Sequence, residues 1–378
     1  MEPPSLPKLE ELSYITPSIY AATLLCPARG LWAASKNQPR LPEHPSSLLG
    51  VAFHSLVEHA SKGGFAGISD DFADCARSYF DAVCGELYDD AHPLIRAKFS
   101  SPNRMPNYYL FRERAVIAAA EVRRPFASNV NAAREAPSLA EQPLSTKDGL
   151  LRGRPDLLDV KRREIVDYKS GLRGDAGIST EETRQLLLYG EMAEENSFQI
   201  ERGIVVRPDG RRFPIAMSSG DMQAEAAAAK EVLRKVNAAI SGGASFAELA
   251  NPSSTNCWMC PCMPSCDRFW QGADVSWAES LGAQIEGVVS RVERSSIQGA
   301  DLVSINLDVS RGTIGQGDCS VEQIPAVWLV VGGSPLPSVG GTVRVTNCRL
   351  IDSELRVARV DRIVTCLWTI DAKSDGAI

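Results

Sequence analysis

Long apolar runs and targeting signals are missing from this sequence. No run reaches the ~18 apolar residues that a membrane-spanning helix needs. Residues 1–4, Met-Glu-Pro-Pro, lack the basic and apolar blocks of a secretory signal peptide. We therefore expect a cytoplasmic protein that makes no contact with a membrane.

A motif for ATP binding and hydrolysis is also missing, as are internal sequence repeats. The chain contains no Gly-x4-Gly-Lys-Ser/Thr sequence, so it cannot by itself couple ATP hydrolysis to the unwinding of nucleic acid. No repeat of about 20–50 residues and no low-complexity tract is present, which excludes repeat architectures. A composition of 44% hydrophobic and 23% charged residues excludes disordered, collagen-like and coiled-coil chains.

The chain does have length, acidic charge and cysteine. Its 378 residues suggest about two to three domains. A net charge of −7 argues against indiscriminate binding to phosphate backbones. The ten cysteines indicate a metal site, a catalytic role or simple burial, because disulfides are rare in a reducing compartment.

The spacing of hydrophobic residues divides the chain into stretches of different predicted secondary structure. Residues 1–45 are proline-rich around one apolar segment that Cys26-Pro27 interrupts, and residues 48–135 show the three-and-four spacing of helices. Strand-like segments then follow at 139–144, 150–160, 164–168 and 200–206. The middle two segments are predicted to form a hairpin, and helices are predicted at 179–196 and 221–240.

Residues 281–370 are almost entirely strand-like. Their segments 285–292, 302–309, 326–331 and 342–346 alternate or are rich in β-branched residues, and Gly-Gly turns stand at 332–333 and 340–341. About five strands in this length predict a separate all-β domain. A small closed barrel of the OB type fits best, with a sandwich as the alternative.

Two aspartates and a lysine on the predicted hairpin carry the most chemical information. Asp167 and Lys169 are two apart on one strand and project from the same face, and Asp156 can approach them from the neighbouring strand. Two carboxylates can bind Mg²⁺ or Mn²⁺, and a nearby lysine can position or deprotonate a water for phosphodiester hydrolysis. Taken alone, Asp-x-Lys is also typical of a solvated salt bridge.

Other residues add to this group. Gln185 and Tyr189 are four apart and therefore share one face of a predicted helix. His54 lies in the helical segment Gly-Val-Ala-Phe-His at 50–54, and Glu141 lies on the strand before the hairpin. The alternative for a lone helical histidine is a packed or surface residue, which is the more frequent case.

Together, these residues resemble the PD-(D/E)XK nuclease superfamily, and within it the RecB-like branch that includes CRISPR-associated exonucleases and AddB-type nuclease subunits. The resemblance covers about residues 15–270 and includes the Gly153-to-Asp156 turn. It implies an α/β fold, with a restriction-endonuclease-like mixed sheet flanked by helices.

The resemblance also implies two overlapping sets of site residues. The metal ligands would be His54, Asp156, Asp167 and the carbonyl of Tyr168. The catalytic set would be Asp156, Asp167, Lys169, Gln185, Tyr189 and, at a more variable position, Glu141. Within the catalytic set Lys169 would be the catalytic lysine, while Gln185 and Tyr189 would orient the site or the DNA.

A cysteine cluster, Cys257-x2-Cys260-x5-Cys266, forms a second group of candidate ligands. Thiolates this close together on a turn-rich segment can converge on one soft metal centre, and three ligands leave one position to fill. Zinc and a four-iron four-sulfur cluster both accept a fourth thiolate, and the spacing leaves both open.

The RecB-like resemblance implies the iron–sulfur cluster, with Cys26 as its fourth ligand. Such a cluster would clasp the two ends of the nuclease core together. Cys262 could replace Cys260 or Cys266 as a ligand, or remain an unliganded neighbour. The other cysteines, at positions 75, 84, 319, 348 and 366, are interpreted as ordinary buried thiols.

A basic stretch interrupts the acidic chain. Residues 94–134 contain eight Lys/Arg and two Asp/Glu, a local charge of +6 that leaves −13 for the rest of the chain. Aromatic residues are interleaved, so arginines such as Arg104, Arg112 and Arg114 predict a path for a DNA strand. The alternative is a solvated helical face.

The whole sequence predicts a nuclease domain at 1–275 and an OB-like domain at 281–370, with a helical part at 48–135, a catalytic sheet at 139–217 and the cysteine segment at 257–266. The predicted activity is metal-dependent hydrolysis of DNA by an exonuclease that prefers single strands or free ends. The setting would be repair, CRISPR adaptation or phage defence. The alternative is a non-catalytic DNA-binding or scaffolding subunit, with a protein partner at the C-terminal domain.

Overall fold

Helices make up most of the first third of the chain. The computed structural model describes residues 1–35, 41–68, 70–123, 138–169, 177–207, 209–297, 299–331, 336–361 and 363–370. The early helices are α1 (Pro17–Leu25), α2 (Pro27–Ala34), α3 (Pro45–Ser61), α4 (Phe72–Asp90), α5 (Pro93–Lys98) and α6 (Tyr108–Val122). Pro27 starts α2, because proline suits the first helical position, and Cys26 is left extended between α1 and α2.

Within the described residues, a mixed five-stranded sheet forms the centre of the region that follows. In spatial order its strands are β1 (Ser138–Ala140), β4 (Leu157–Asp159), β5 (Glu164–Tyr168), β6 (Arg202–Val206) and β7 (Arg212–Ala216). A separate ribbon consists of β2 (Leu144–Ser145) and β3 (Arg152–Gly153). β5 and β6 are parallel, with α7 (Thr180–Glu195) between them in the chain, and the other neighbours are antiparallel.

Helices cover both faces of this sheet. Val166 and Tyr168 of β5 pack with residues of α3, α4 and α6, while Ile165 packs on the other side with residues of α1, α7 and α8 (Ser219–Ser241). Successive side chains of a strand point to opposite faces, so Asp167 shares the side of Ile165. Asp167 therefore faces α7.

A short irregular region follows α8. It contains α9 (Phe246–Leu249), the cysteine segment at 257–266, α10 (Asp267–Gly272) and α11 (Ala278–Leu281). Leu12 and Asn237 of α8 exchange two hydrogen bonds of 2.8 and 2.9 Å, so the N-terminal segment runs along this helix. Ser265 Oγ of the cysteine segment donates to the carbonyl of Pro4, so residues near position 4 lie beside this segment.

The strand pairings of the C-terminal part form a ring. Its strands are β8 (Ala283–Ile297), β9 (Ala300–Gly312), β10 (Gly317–Pro325), β11 (Thr342–Asp352), β12 (Val357–Val360) and β13 (Cys366–Ile370). Among the described residues the ring runs β8–β9–β10–β12–β11 and back to β8. The β10–β12 pair is parallel, and β13 pairs with the part of β11 that β12 does not cover. Apolar side chains such as Ile305, Leu307 and Val321 are buried together within this ring of strands.

The predicted strand at 326–331 is wrong. The chain forms α12 (Ala326–Leu329) there, directly after Pro325 ends β10. Trp328 and Leu329 are buried. Trp328 lies next to Leu94 of α5, and Leu329 packs in the core of the six-stranded C-terminal sheet, which we call the second sheet. A short apolar run predicts burial but does not distinguish a strand from a short helix. The predicted Gly-Gly turn at 332–333 lies outside the described residues.

The predictions for the first two thirds are closer to the structure. The helices at 179–196 and 221–240 and the hairpin between β4 and β5 are confirmed. The predicted strand at 139–144 is interrupted, because Glu141 adopts a left-handed φ of 50° between β1 and β2. The helical prediction at 48–135 is confirmed as far as Val122, and 124–135 lies outside the described residues. None of the described helices is long and apolar enough to span a bilayer.

A half-buried lysine and a buried arginine join the second sheet to the rest of the chain. Lys98 of α5 donates to the carbonyls of Ile363 and Thr365, at 3.1 and 2.7 Å. Arg344 of β11 donates at 2.6 Å both to Glu286 Oε2 and to the carbonyl of Pro264 in the cysteine segment. The second sheet is thus fixed to α5 and to the cysteine segment by charge-assisted hydrogen bonds.

Replacing Arg344 tests this junction. Arg344→Ala would leave the Glu286 carboxylate, which is 6% exposed, without its nearest cation. We expect the free energy of unfolding to fall by about 3–5 kcal/mol, as when one member of a buried ion pair is removed. Arg349→Ala, at an exposed position of the same strand, should change it by less than about 0.5 kcal/mol. Urea denaturation followed by tryptophan fluorescence measures both variants, and equal effects would contradict the role of Arg344.

Candidate active site

The turn that leads into β4 fixes Asp156 at the edge of the central sheet. Asp156 Oδ2 accepts a hydrogen bond of 2.6 Å from the amide of Tyr168, which ties the turn to the end of β5. Gly153 permits a close approach to α7, since a Cβ there would lie 2.7 Å from Met192 Cε and 2.8 Å from Tyr189 Cε1. The Asp156 carboxylate is therefore held beside the last residues of β5.

His54, Glu141 and Asp156 come together as candidate metal ligands, and we call them the metal group. Their ligand atoms all lie within 4.8 Å of one another, and His54 Nδ1 is 3.4 Å from Asp156 Oδ1. His54 belongs to α3, Glu141 to the bend after β1 and Asp156 to the turn before β4. Three separate elements therefore build one partly buried group.

Burial and mutual repulsion shift the pKa values here. Burial lowers the pKa of His54, but the hydrogen bond and charge of Asp156 outweigh it, so the pKa is raised above its ordinary value. Burial, with the charge of Asp156, raises the pKa of Glu141. The same two causes raise the pKa of Asp167. This accumulation of negative charge favours a bound cation.

Asp167, Lys169 and Gln185 form a second group, which we call the lysine group. Lys169 Nζ lies 2.7 Å from Asp167 Oδ2 and donates to Gln185 Oε1 at 2.9 Å. Gln185 Nε2 donates to Asp167 Oδ1 at 2.9 Å and contacts the Tyr189 hydroxyl at 3.3 Å. The prediction that Gln185 and Tyr189 share one helix face is confirmed.

The donor set of the site fits a hard divalent cation. Carboxylate oxygens and one imidazole nitrogen are ligands that Mg²⁺ or Mn²⁺ accept. The buried Asp167 Oδ2 takes its counter-charge from the Lys169 ammonium at 2.7 Å, so the fit to a metal ion rests on His54, Glu141 and Asp156.

The structure arranges the predicted ligands differently from the sequence expectation. Glu141, assigned to a variable position, lies directly with His54 and Asp156. Asp167 contacts the other members of the lysine group instead, and Tyr168 contributes its amide N–H to Asp156. The ligand roles of Asp167 and of the Tyr168 carbonyl therefore stay predictions.

A model of the PD-(D/E)XK nuclease superfamily matches residues 14–267 of this chain. The chain belongs to this superfamily. The match runs from the residues before α1 to the first residue of α10, so it includes both groups described above. Membership implies nuclease activity, which in this superfamily is generally metal-dependent. A comparison with curated proteins finds no match.

Two charged residues that the sequence reasoning missed hold α7 on the nuclease sheet. Arg207, just after β6, donates to both carboxylate oxygens of Glu182 in the first turn of α7 and to the carbonyl of Gly177. Both side chains are at most 8% exposed. Burial raises the pKa of Glu182, but the hydrogen bonds from Arg207 and Ser179 lower it to about 2. The sequence pattern predicts the helix at 179–196, but nothing in it pairs Glu182 with Arg207.

The nuclease fold also brings Cys26 to the cysteine segment. Cys26 packs with Cys262 and Cys260 in one small cluster, and Cys257 and Cys266 pack with Cys260 in the next. A hydrogen bond from Cys262 lowers the pKa of Cys260. All four predicted ligands and their ambiguous neighbour therefore lie in one region. The role of each thiol stays a prediction.

Arg29 supports the cysteine segment from α2. It donates to the carbonyls of Asn256 and Trp258, at 3.0 and 3.2 Å, and its charge also lowers the pKa of Cys260.

The five cysteines interpreted as ordinary thiols are free thiols in the structure. Those at positions 84, 319, 348 and 366 are buried, while Cys75 is half-buried.

The arginines predicted to contact DNA have different surroundings. Arg112 forms ion pairs with Asp81 and Glu113, so its charge is largely used inside the protein. Arg104 is exposed, and Arg114 Nη1 is a buried atom without a hydrogen-bond partner among the described residues. Their role in binding DNA stays a prediction. The part of the basic stretch at 124–134 lies outside the described residues.

Removing the Arg207 side chain tests how α7 is held. Arg207→Ala would leave the Glu182 carboxylate buried without its cation. We expect the free energy of unfolding to fall by about 3–5 kcal/mol. Arg163→Ala is the matched control, because it breaks an exposed pair with Glu201 and should cost less than about 1 kcal/mol. Chemical denaturation compares the two, and a loss in Arg207→Ala no larger than in the control would refute the assignment.

Proposed function

We propose that the protein is a divalent-metal-dependent DNA nuclease that hydrolyses phosphodiester bonds. The observation that carries the proposal is the position of the metal group beside the lysine group, bridged by the hydrogen bond from Tyr168 to Asp156. Superfamily membership supports hydrolysis of a nucleic acid. The choice of DNA rests on the resemblance to the RecB-like branch.

The side chains of the site have separable roles in this proposal. When bound by the metal group, a divalent cation supplies charge neutralisation for the scissile phosphate and lowers the pKa of nearby water. Lys169 is 26% exposed, so its ammonium reaches the site while Asp167 and Gln185 fix its direction. There it stabilises the charge that develops on the phosphate and positions the attacking water. Tyr189 in turn fixes Gln185.

We further propose that the enzyme is a RecB-like exonuclease that prefers single strands or free ends. His54 on α3 and the Gln185–Tyr189 pair on α7 support this branch, since both join the site as its motifs require. The cytoplasmic setting, in DNA repair, CRISPR adaptation or phage defence, follows from the same resemblance.

Cleavage of single-stranded DNA tests the activity. We expect Lys169→Ala and Asp156→Asn to reduce the rate with Mn²⁺ or Mg²⁺ by roughly a hundredfold or more, because each removes a group that acts on the phosphate. Lys8→Ala, at a lysine that is 87% exposed, is the control and should cleave like wild type. Cleavage is measured with a labelled oligonucleotide, with and without chelator. Undiminished cutting by Lys169→Ala would refute the mechanism.

We also propose that Cys26, Cys257, Cys260 and Cys266 hold a four-iron four-sulfur cluster. The packing of Cys26 with the segment supports this ligand set. Thiolates at this spacing also bind zinc, which is the alternative centre. The cluster would then clasp residues far apart in the chain.

Anaerobic purification tests the cluster. We expect brown protein with broad absorbance near ~400 nm, about four irons per chain and loss of both in Cys26→Ser. Cys75→Ser, at a half-buried cysteine on α4, is the matched control and should keep the colour. Colourless protein with one zinc per chain would overturn the cluster in favour of zinc.

For the C-terminal part we propose an OB-type barrel at 281–370, after a nuclease domain at 1–275. The ring of five pairings, its parallel β10–β12 pair and the helix between β10 and β11 support this type. Its only aromatic residues, Trp328 and Trp368, are 9% and 4% exposed, so neither offers a ring for stacking on a base. The burial of both tryptophans favours a protein partner for the domain. The same observation supports a scaffolding role as the second candidate function.

A further inference from the structure

A groove beside the metal group is lined in part by residues outside the superfamily motifs, among them Tyr14 and Arg152. It is bounded by the segment before and at the start of α1, by the β2–β3 ribbon and by α7. Its lining residues include Tyr14, Arg152, Arg154 and Tyr189. We propose that this groove binds the phosphate backbone of the substrate strand next to the scissile bond. The inference rests on the proposed nuclease function and adds residues that recognise the strand.

Charge is the first observation in favour of this assignment. The described lining carries two arginines and neither aspartate nor glutamate. A second groove is lined by two members of the metal group, His54 and Glu141, together with Glu58 and serines. A polyanionic backbone gains counter-charge only in the first groove, which we call the arginine groove.

Continuity with the site is the second observation. Tyr189 lines the arginine groove and contacts Gln185 at 3.3 Å, and Gln185 belongs to the lysine group. At the same end, Arg154 Nε lies 4.0 Å from Glu141 Oε2 of the metal group. A strand in the arginine groove would therefore lead directly to the phosphate position that both groups face.

The Arg152 side chain is oriented before any ligand arrives. Its guanidinium stacks 4.4 Å from the ring of Tyr14, and its Nε donates to the carbonyl of Gly149 at 3.3 Å. Its amide donates to the carbonyl of Ile15, and the amide of Ile15 donates to Leu150, so backbone hydrogen bonds hold both walls together. An arginine fixed in this way loses little conformational entropy on binding phosphate.

Arg154 complements it as a more mobile contact. Its side chain is 60% exposed, and its only described ion contact, with Glu141, is long. Thr16 and Ser18 add hydroxyl groups to the same lining. The arginine groove thus offers one fixed guanidinium, one free to adjust and neutral donors, a set that suits successive phosphates without reading bases.

Binding measured without cleavage separates this inference from the proposed chemistry. A fluorescein-labelled single-stranded oligodeoxynucleotide of about 20 nucleotides is titrated with full-length protein in EDTA, and anisotropy is followed over a range of NaCl concentrations. We expect Arg152→Ala and Arg154→Ala each to weaken binding about five- to tenfold. Each should also reduce the slope of log K against log salt by about 0.7, the value for one phosphate contact on a single strand.

Matched variants sharpen the test. Arg162→Ala removes an arginine that is 66% exposed, in the β4–β5 turn at the far end of the hairpin from Asp156, and should bind within twofold of wild type. Arg152→Lys keeps the charge but loses the stacked fork and should fall between Arg152→Ala and wild type.

The two proposals fail in different ways. If wild type cleaves and binds while Arg152→Ala and Arg154→Ala match it in affinity and salt slope, the arginine groove is refuted and the nuclease function stands. If wild type neither binds the oligonucleotide nor cleaves it with Mn²⁺, the proposed function itself fails.

Discussion

The site depends on two carboxylates, Asp156 and Asp167, that are held close together at one end of the central sheet. The amide of Tyr168 binds Asp156, and Asp167 is the next residue back along β5, so the two carboxylates stand close together. Burial and the nearby charge of Asp156 raise the pKa of Asp167, so a positive partner beside it stabilises its charged form. His54 Nδ1 lies 3.4 Å from Asp156 Oδ1, and Lys169 Nζ lies 2.7 Å from Asp167 Oδ2, so different elements supply a partner for each carboxylate. Much of the surrounding fold positions these partners.

Helices on the two faces of the sheet contribute different residues to the site. The helices on the Val166 side supply His54, while α7 on the Ile165 side supplies Gln185. The buried pair of Arg207 with Glu182 then fixes where α7 meets the sheet end. Such a pair adds little net stability over an apolar substitute, because desolvation offsets most of the attraction. Its main consequence is geometric, since it sets the position from which Gln185 reaches Lys169.

Local geometry explains which parts of the site were predictable from sequence. Asp167 and Lys169 follow from the two-residue period of a strand, and Gln185 with Tyr189 from the turn of a helix. The position of Glu141 depends on a left-handed φ at a residue that is not glycine, and no sequence signal marks it. The salt bridge between Arg207 and Glu182 joins residues 25 apart in the chain across a crossover, and charge pattern alone does not select one partner among many. Helix α12 was missed because burial of a short apolar run fits either period.

The contacts of the N-terminal segment also constrain how the molecule forms. Leu12 bonds to Asn237, 225 residues later, and Ile15 bonds to the backbone at 150–152. This segment is synthesised before α8 and can therefore dock only after α8 has left the ribosome. Contacts of such long sequence separation form late in folding, because loop closure is costly until the rest is in place. Docking of α1 would thus be a late step, and a nascent chain would carry α1 and α2 without their final partners until α8 has emerged.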